Sequence, residues 1–153
     1  MLAWIKALMP RAQRSGSKLQ YAALPFRRRA DVGVEVLLIT TRETGRWIIP
    51  KGWPIPGLSP QDSAAHEARE EGGLIGRIGE MVIGRYHYDK RLASGSVVRC
   101  AVDVFLLEVS EQMKSWPEQR ERRTRWFAVA EAAGAVEEPE LRDILRGLAK
   151  QLA

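Results

Sequence analysis

Apolar residues follow two different periods along the chain, and each period predicts a different element. Residues 32–40 form a β-branched run that is typical of a buried strand. Other apolar or alternating runs also predict strands, at residues 19–26, 47–49, 78–88, 96–109 and 126–127. Pro25 cannot donate a ladder hydrogen bond, so it indicates a sheet edge or a bend in the first strand.

One helix is marked at both ends by local signals. Ser59 is its predicted N-cap, Pro60 its first residue and Asp62 the partner in a variant capping box. Gly72 and Gly73 supply a C-terminal stop. Small residues, which would let this helix approach a sheet closely, lie away from its acidic face: Ala64, Ala65 and Ala68.

Two further helices complete the pattern. Residues 128–133 predict a short helix, and a closing amphipathic helix is predicted after Pro139. Its apolar residues recur at helical spacing: Leu141, Ile144, Leu145, Leu148 and Leu152. The order of strands and helices predicts one mixed α/β domain over residues 18–153. Residues 1–17 are predicted to be a flexible or partly helical basic extension.

Composition narrows the class of protein. The chain has 153 residues, of which 45% are hydrophobic and 28% charged, as in ordinary globular proteins. Cys100 is the only cysteine, which excludes an internal disulfide or a cysteine zinc site and favours a cytoplasmic location. No apolar run approaches the length of a membrane span, and a signal peptide is not expected. Residues 1–30 hold seven basic and no acidic residues, which favours a polyanionic ligand or a solvated tail.

Three glutamates lie at helical spacing on the first predicted helix. Glu70 follows Glu67 by three residues and Glu71 follows it by four, so the three side chains share one side of the helix. Their carboxylates repel one another unless a cation lies between them. Oxygen-only ligands favour Mg²⁺, with Mn²⁺ as the alternative, and both ions commonly bind substrate phosphates as well.

The segment around these glutamates resembles the Nudix box, the signature of hydrolases that act on nucleoside diphosphates linked to another group. The matching residues are Gly52, Glu67, Glu70, Glu71, Gly73 and Leu74. Leu58 and His66 depart from the pattern, because they stand where a glutamate and an arginine are expected. The alternative is a charged surface helix that matches by chance.

The resemblance implies roles for the glutamates and an α/β/α sandwich with a mixed central sheet. Glu67 and Glu71 are the leading metal ligands that it implies. Glu70 is either a further ligand or the catalytic base that takes a proton from water. The sequence does not separate these two roles.

A narrower resemblance is to the diphosphoinositol polyphosphate phosphohydrolase group. It rests on residues 46–54, 86–90 and 122–127. Members of that group act on diphosphoinositol polyphosphates and on dinucleoside polyphosphates, so a polyphosphorylated small molecule is the expected partner. The candidate substrate contacts are Arg28, Arg29, Arg46, Lys51, Gly52, Arg99 and Arg122.

Other functions stay open at this stage. The chain could be a Nudix hydrolase of another nucleoside-diphosphate derivative, or a Nudix-fold module that binds phosphate ligands without turnover. Leu58 and His66 favour the second alternative, and the intact set of three glutamates argues against it. Nucleic-acid binding through the basic leader is a weaker hypothesis, and a monomer or a homodimer fits the sequence equally well.

Overall fold

The computed structural model describes residues 17–152, and the predicted extension lies outside this range except for Ser17. Seven strands and three helices occur in the described residues. The strands are β1 (Lys18–Arg29), β2 (Gly33–Thr40), β3 (Trp47–Ile48), β4 (Lys51–Gly52), β5 (Leu74–Arg91), β6 (Val97–Gln112) and β7 (Thr124–Ala128). The helices are α1 (Pro60–Gly72), α2 (Val129–Ala135) and α3 (Pro139–Gln151).

One mixed sheet organises the molecule. Its main order is β3-β2-β1-β6-β5, with β4 paired to β1 and β7 paired to β2. The β1–β6 pair is parallel, and every other pair is antiparallel. The predicted mixed α/β fold is therefore confirmed.

Helices cover both faces of the sheet. On one face α1 lies close to the strands, because Ala64 and Ala68 are fully buried against Leu37, Ile39 and Phe105. On the other face α2 and α3 pack on the second core, which includes Leu141, Leu145 and Leu148. These two apolar layers make the molecule an α/β/α sandwich, as the resemblance implied.

The position of Pro25 corrects one expectation. β1 lies in the middle of the sheet, so Pro25 does not mark an edge. On one side β1 pairs with β4 at Tyr21 and Ala22, and its pairing with β2 begins only at Phe26. Pro25 falls between these two partners, so on this side of β1 no paired residue stands opposite it.

The start of β1 and the end of β2 frame one end of the sheet. Lys51 pairs with Ala22 and brings the loop before α1 to this end. The segment between β6 and β7 reaches the same place, since Met113 N donates to Gly73 O (2.8 Å) and Thr40 N to Arg123 O (3.0 Å). No helix among residues 17–152 has the length and apolar character needed to cross a lipid bilayer.

Candidate metal and substrate site

Local signals set the register of α1 and thereby the side on which its glutamates lie. Ser59 Oγ accepts a hydrogen bond from Asp62 N (3.0 Å), which caps the first turn as predicted. Gly73 ends the helix in the left-handed region (φ 68°), where glycine carries no steric penalty. Glu67 and Glu71 therefore meet the end of the sheet at which Lys51 and Gly52 lie.

Glu71 is the most deeply buried of the three glutamates, at 6% exposure. Its Oε1 accepts from Lys51 N (2.9 Å) and its Oε2 from Arg122 Nη2 (2.8 Å). Burial raises the pKa of Glu71, while the charges of Arg122 and Lys51 and the Lys51 N–H oppose that rise. Both oxygens therefore accept from donors outside α1, which fixes the orientation of the Glu71 carboxyl group.

Glu67 lies against the backbone of Gly52. A Cβ atom at position 52 would be 2.4 Å from Glu67 Cδ and 2.6 Å from its Oε1, so only glycine leaves room for this carboxyl group. Burial, and then the nearby charges of Glu118 and Glu70, raise the pKa of Glu67 to about 7. No described residue donates a hydrogen bond to this carboxylate, so its charge is left for a cation to neutralise.

Glu70 is more accessible than Glu71, with 34% of its side chain exposed. Its Oε1 is 3.5 Å from His66 Nε2, so the imidazole is a distant partner. Its backbone carbonyl accepts from Glu118 N (3.1 Å), which ties this turn of α1 to the segment before β7. The carboxylate thus faces solvent beside Glu67, where a water molecule or a phosphate can reach it.

Lys51 is the basic residue closest to the glutamates in the loop before α1. Its Nζ lies 4.6 Å from the centre of the Tyr88 ring, a cation–π arrangement. The Tyr88 hydroxyl donates to Gln20 Oε1 (2.6 Å), which fixes the ring. Burial lowers the pKa of Lys51 to about 8, and the neighbouring carboxylates of Glu71 and Glu138 oppose that fall. The ammonium group is therefore held over the Tyr88 ring, where the charges of Glu71 and Glu138 act on it.

All five arginines among the predicted substrate contacts pair with acidic residues, Arg122 with Glu71 and Glu118. Arg46 Nη1 is 3.3 Å from Glu137 and 3.5 Å from Glu138. Arg99 Nη1 is 3.3 Å from Asp89. The other two pairs are Arg28 with Glu108 (3.8 Å) and Arg29 with Asp31 (3.4 Å).

Two of these arginines lie far from the glutamates. Arg28 is six residues beyond Ala22, the partner of Lys51, which is roughly 20 Å along β1. Arg29 follows it at the same end of the strand. The structure therefore does not bring the leading basic cluster to the glutamates, and a ligand held there would have to extend that distance to touch it.

Glu118 is a carboxylate at the site that the sequence interpretation missed. It accepts from Arg122 Nε (2.9 Å) and is the charged neighbour with the largest effect on the pKa of Glu67. The signal that could have revealed Glu118 was its four-residue spacing from Arg122. Both residues lie in a charged run, however, and such a run also fits a solvated segment. A cleft of about 550 Å³ opens beside Arg122, between the turn at residues 41–45 and residues 119–123.

The donor set at this end of the sheet fits a hard divalent cation. Glu67 and Glu70 offer carboxylate oxygens, and Glu71 keeps a free lone pair on each oxygen. Among residues 17–152, no three acidic, imidazole or thiol side chains already converge as a ligand set. Mg²⁺ does not need such a cage, because it usually keeps several waters and binds one or two carboxylates together with substrate phosphates.

Comparison with known proteins finds relatives of this chain. Nudix hydrolase 12, mitochondrial, of Arabidopsis thaliana is 28% identical over 102 residues, which are 65% of this chain and 50% of that protein. The chain therefore spans half the length of this relative. Diphosphoinositol polyphosphate phosphohydrolase 3-alpha of Mus musculus is 30% identical over 121 residues, 76% of this chain and 68% of that protein.

A solved structure gives the same fold. The C. elegans Ap4A hydrolase superposes with a TM-score of 0.64 at 20% identity and covers 90% of this chain and 99% of its own. Residues 19–148 match the family described as the NUDIX domain. This match spans most of the chain and confirms the resemblance drawn from the box residues, so the chain belongs to the NUDIX domain family.

Proposed function

We propose that the protein is a metal-dependent pyrophosphohydrolase that cleaves phosphoanhydride bonds in diphosphoinositol polyphosphates or dinucleoside polyphosphates. The observation that carries the proposal is the placement of Glu67 and Glu71 at the Lys51–Gly52 segment. Glu67 lies against Gly52 and accepts no hydrogen bond from a described residue, which suits a cation, while the adjacent lysine and glycine suit a phosphate.

The residues divide the chemistry among themselves. Glu67, Glu70 and Glu71 would hold Mg²⁺ or Mn²⁺, which neutralises charge on the phosphate oxygens when it is bound. In the proposed reaction Glu70 takes a proton from the attacking water. The water oxygen forms a bond to phosphorus, and the bridging P–O bond breaks. Lys51 and the backbone N–H groups near Gly52 hold the rest of the polyanion.

The choice of substrate class is supported by the relatives. One is named for diphosphoinositol polyphosphates and another for Ap4A, a dinucleoside polyphosphate. Both substrates are chains or clusters of phosphates, and both require cations beyond the metal. Lys51 is the candidate whose backbone already meets Glu71, and substrate contact by Lys51, Arg46 or Arg99 stays a prediction.

A substrate panel with a glutamate variant tests the proposal. We would measure phosphate or nucleotide release from Ap4A, a diphosphoinositol polyphosphate, a nucleotide sugar and a nucleoside triphosphate, with Mg²⁺ and then Mn²⁺. Turnover of either of the first two is expected, together with its loss in Glu70→Gln. Glu131→Gln removes an equal charge from an exposed position of α2 and should leave the rate unchanged.

The panel also separates the competing functions. Turnover of only the nucleotide sugar or the triphosphate would refute the proposed substrate class but would still show that the protein is a hydrolase. Metal-dependent binding of a panel compound without release of any product would favour the binding module. Turnover that survives in Glu70→Gln would refute the proposed role of that residue.

A further inference from the structure

We infer that Arg122 is a positioning residue for Glu71 rather than a direct contact to the substrate. This inference rests on the proposed function, since it assigns a role within the same site. It replaces the sequence-based expectation that Arg122 binds substrate phosphates.

All three nitrogens of the Arg122 guanidinium already donate to acceptors of the protein. Nε donates to Glu118 Oε1 (2.9 Å), Nη1 to Thr40 O (3.0 Å) and Nη2 to Glu71 Oε2 (2.8 Å). Only 8% of the side chain is exposed. Because so little of the side chain is exposed, a substrate could make only marginal contact with the two N–H groups that remain.

The segment that carries Arg122 is fixed to the end of α1 by several contacts. Glu118 N donates to Glu70 O (3.1 Å) and Met113 N to Gly73 O (2.8 Å). The indole of Trp116 covers Gly73 so closely that a Cβ there would be 2.3 Å from the ring. Arg122 is therefore held in place relative to the carboxylate that it meets.

A fixed cation is what a buried carboxylate requires at this position. Glu71 is almost fully buried, and burial disfavours its anion. Within α1 the cationic candidate on the acidic side is His66, which is 3.5 Å from Glu70 and is not a partner of Glu71. Lys51 N fixes one oxygen of Glu71 and Arg122 fixes the other, so together they set the direction of the remaining lone pairs.

Lysine cannot replace Arg122 in this role. The three N–H groups of lysine diverge from one nitrogen atom, whereas Arg122 uses three separate nitrogens of one planar group to reach Glu71, Glu118 and Thr40. A charge-conserving Arg122→Lys variant thus separates positioning from simple charge.

The test compares Arg122→Lys and Arg122→Gln with Arg120→Gln, which removes one charge from an exposed position of the same segment. We would measure kcat and KM, and the Kd of Mn²⁺ for the substrate-free protein by electron paramagnetic resonance. Circular dichroism and Tm report whether each variant is folded. We expect both Arg122 variants to lose about 10- to 100-fold in kcat or in Mn²⁺ affinity, as for residues that orient metal ligands, with KM within about twofold of wild type.

The outcomes are distinct. A KM that rises about tenfold or more, with kcat and the Mn²⁺ Kd unchanged, would make Arg122 a substrate contact and overturn the inference. Full function in Arg122→Lys would also overturn it, because charge alone would then suffice. If Arg122→Gln fails to fold, the Lys variant decides the question.

Failure of the proposed function is recognised separately. If wild type binds Mn²⁺ but turns over no panel compound, the substrate proposal fails and the Mn²⁺ Kd of the variants still decides the role of Arg122. If wild type binds no Mn²⁺, the metal site is refuted and the inference falls with it.

Discussion

Substituting Gly52 by alanine should damage activity far more than stability. The added Cβ would lie 2.4 Å from Glu67 Cδ, and ordinary contact begins at 3.4 Å, so the carboxyl group must move by about 1 Å. The atom that yields is the end of a flexible side chain, and the φ of Gly52 is not positive, so the fold can accept the methyl group. A misplacement of about 1 Å in a catalytic constellation costs on the order of 10²-fold in rate, or about 2.7 kcal/mol of transition-state stabilisation.

The assay for Gly52→Ala pairs activity with metal binding and stability. We expect kcat/KM on the substrate found with the panel to fall by about 10²-fold and Mn²⁺ affinity to weaken, while Tm changes by only a few degrees. Gly134→Ala is the matched control, since a Cβ at this α2 residue meets no atom within 4 Å. It should leave activity intact and add up to about 1 kcal/mol of stability. Near-native turnover in Gly52→Ala would refute the argument that the position of Glu67 matters.

Three further predictions concern other residues of the site. In the metal-free protein the pKa of Glu67 is about 7, against an ordinary value of 4.5, so the folded state binds this proton more tightly. This proton contributes stability that is complete below about pH 4.5 and is lost as the pH rises through 7. Tm should therefore fall over that interval, and the fall should be smaller in Glu67→Gln. An equal fall in the variant would contradict the raised pKa of Glu67. His66→Arg should keep or raise Mn²⁺ affinity, because arginine is a permanent cation beside Glu70, and a large loss measured by the same resonance titration would give His66 a role of its own. Lys51→Gln should raise KM and Arg28→Gln should not, since Arg28 lies roughly 20 Å along β1 from Ala22, the partner of Lys51. Equal KM values in the two variants would refute the expectation that Lys51 contacts the substrate and Arg28 does not.

Features set by neighbouring residues could be predicted from the sequence. The bounds of α1 follow from the Ser59 cap and the left-handed Gly73, and both contacts span a few residues only. Glu67, Glu70 and Glu71 share one side because a helix repeats every 3.6 residues. Pro25 predicted an edge or a bend, and the edge was wrong because a local rule could not reveal that β1 changes partner at that point.

The sequence by itself determined the class of fold, the helix that carries the glutamates and the carboxylate chemistry of the site. Only the tertiary structure decided which cations meet those carboxylates. Arg122 reaches Glu71 across 51 positions of the chain and Lys51 N across 20, whereas Arg28 lies at the other end of β1. The physical reason is that hydrogen bonds and ion pairs depend on distances in space, and strand pairing sets these distances independently of separation along the chain.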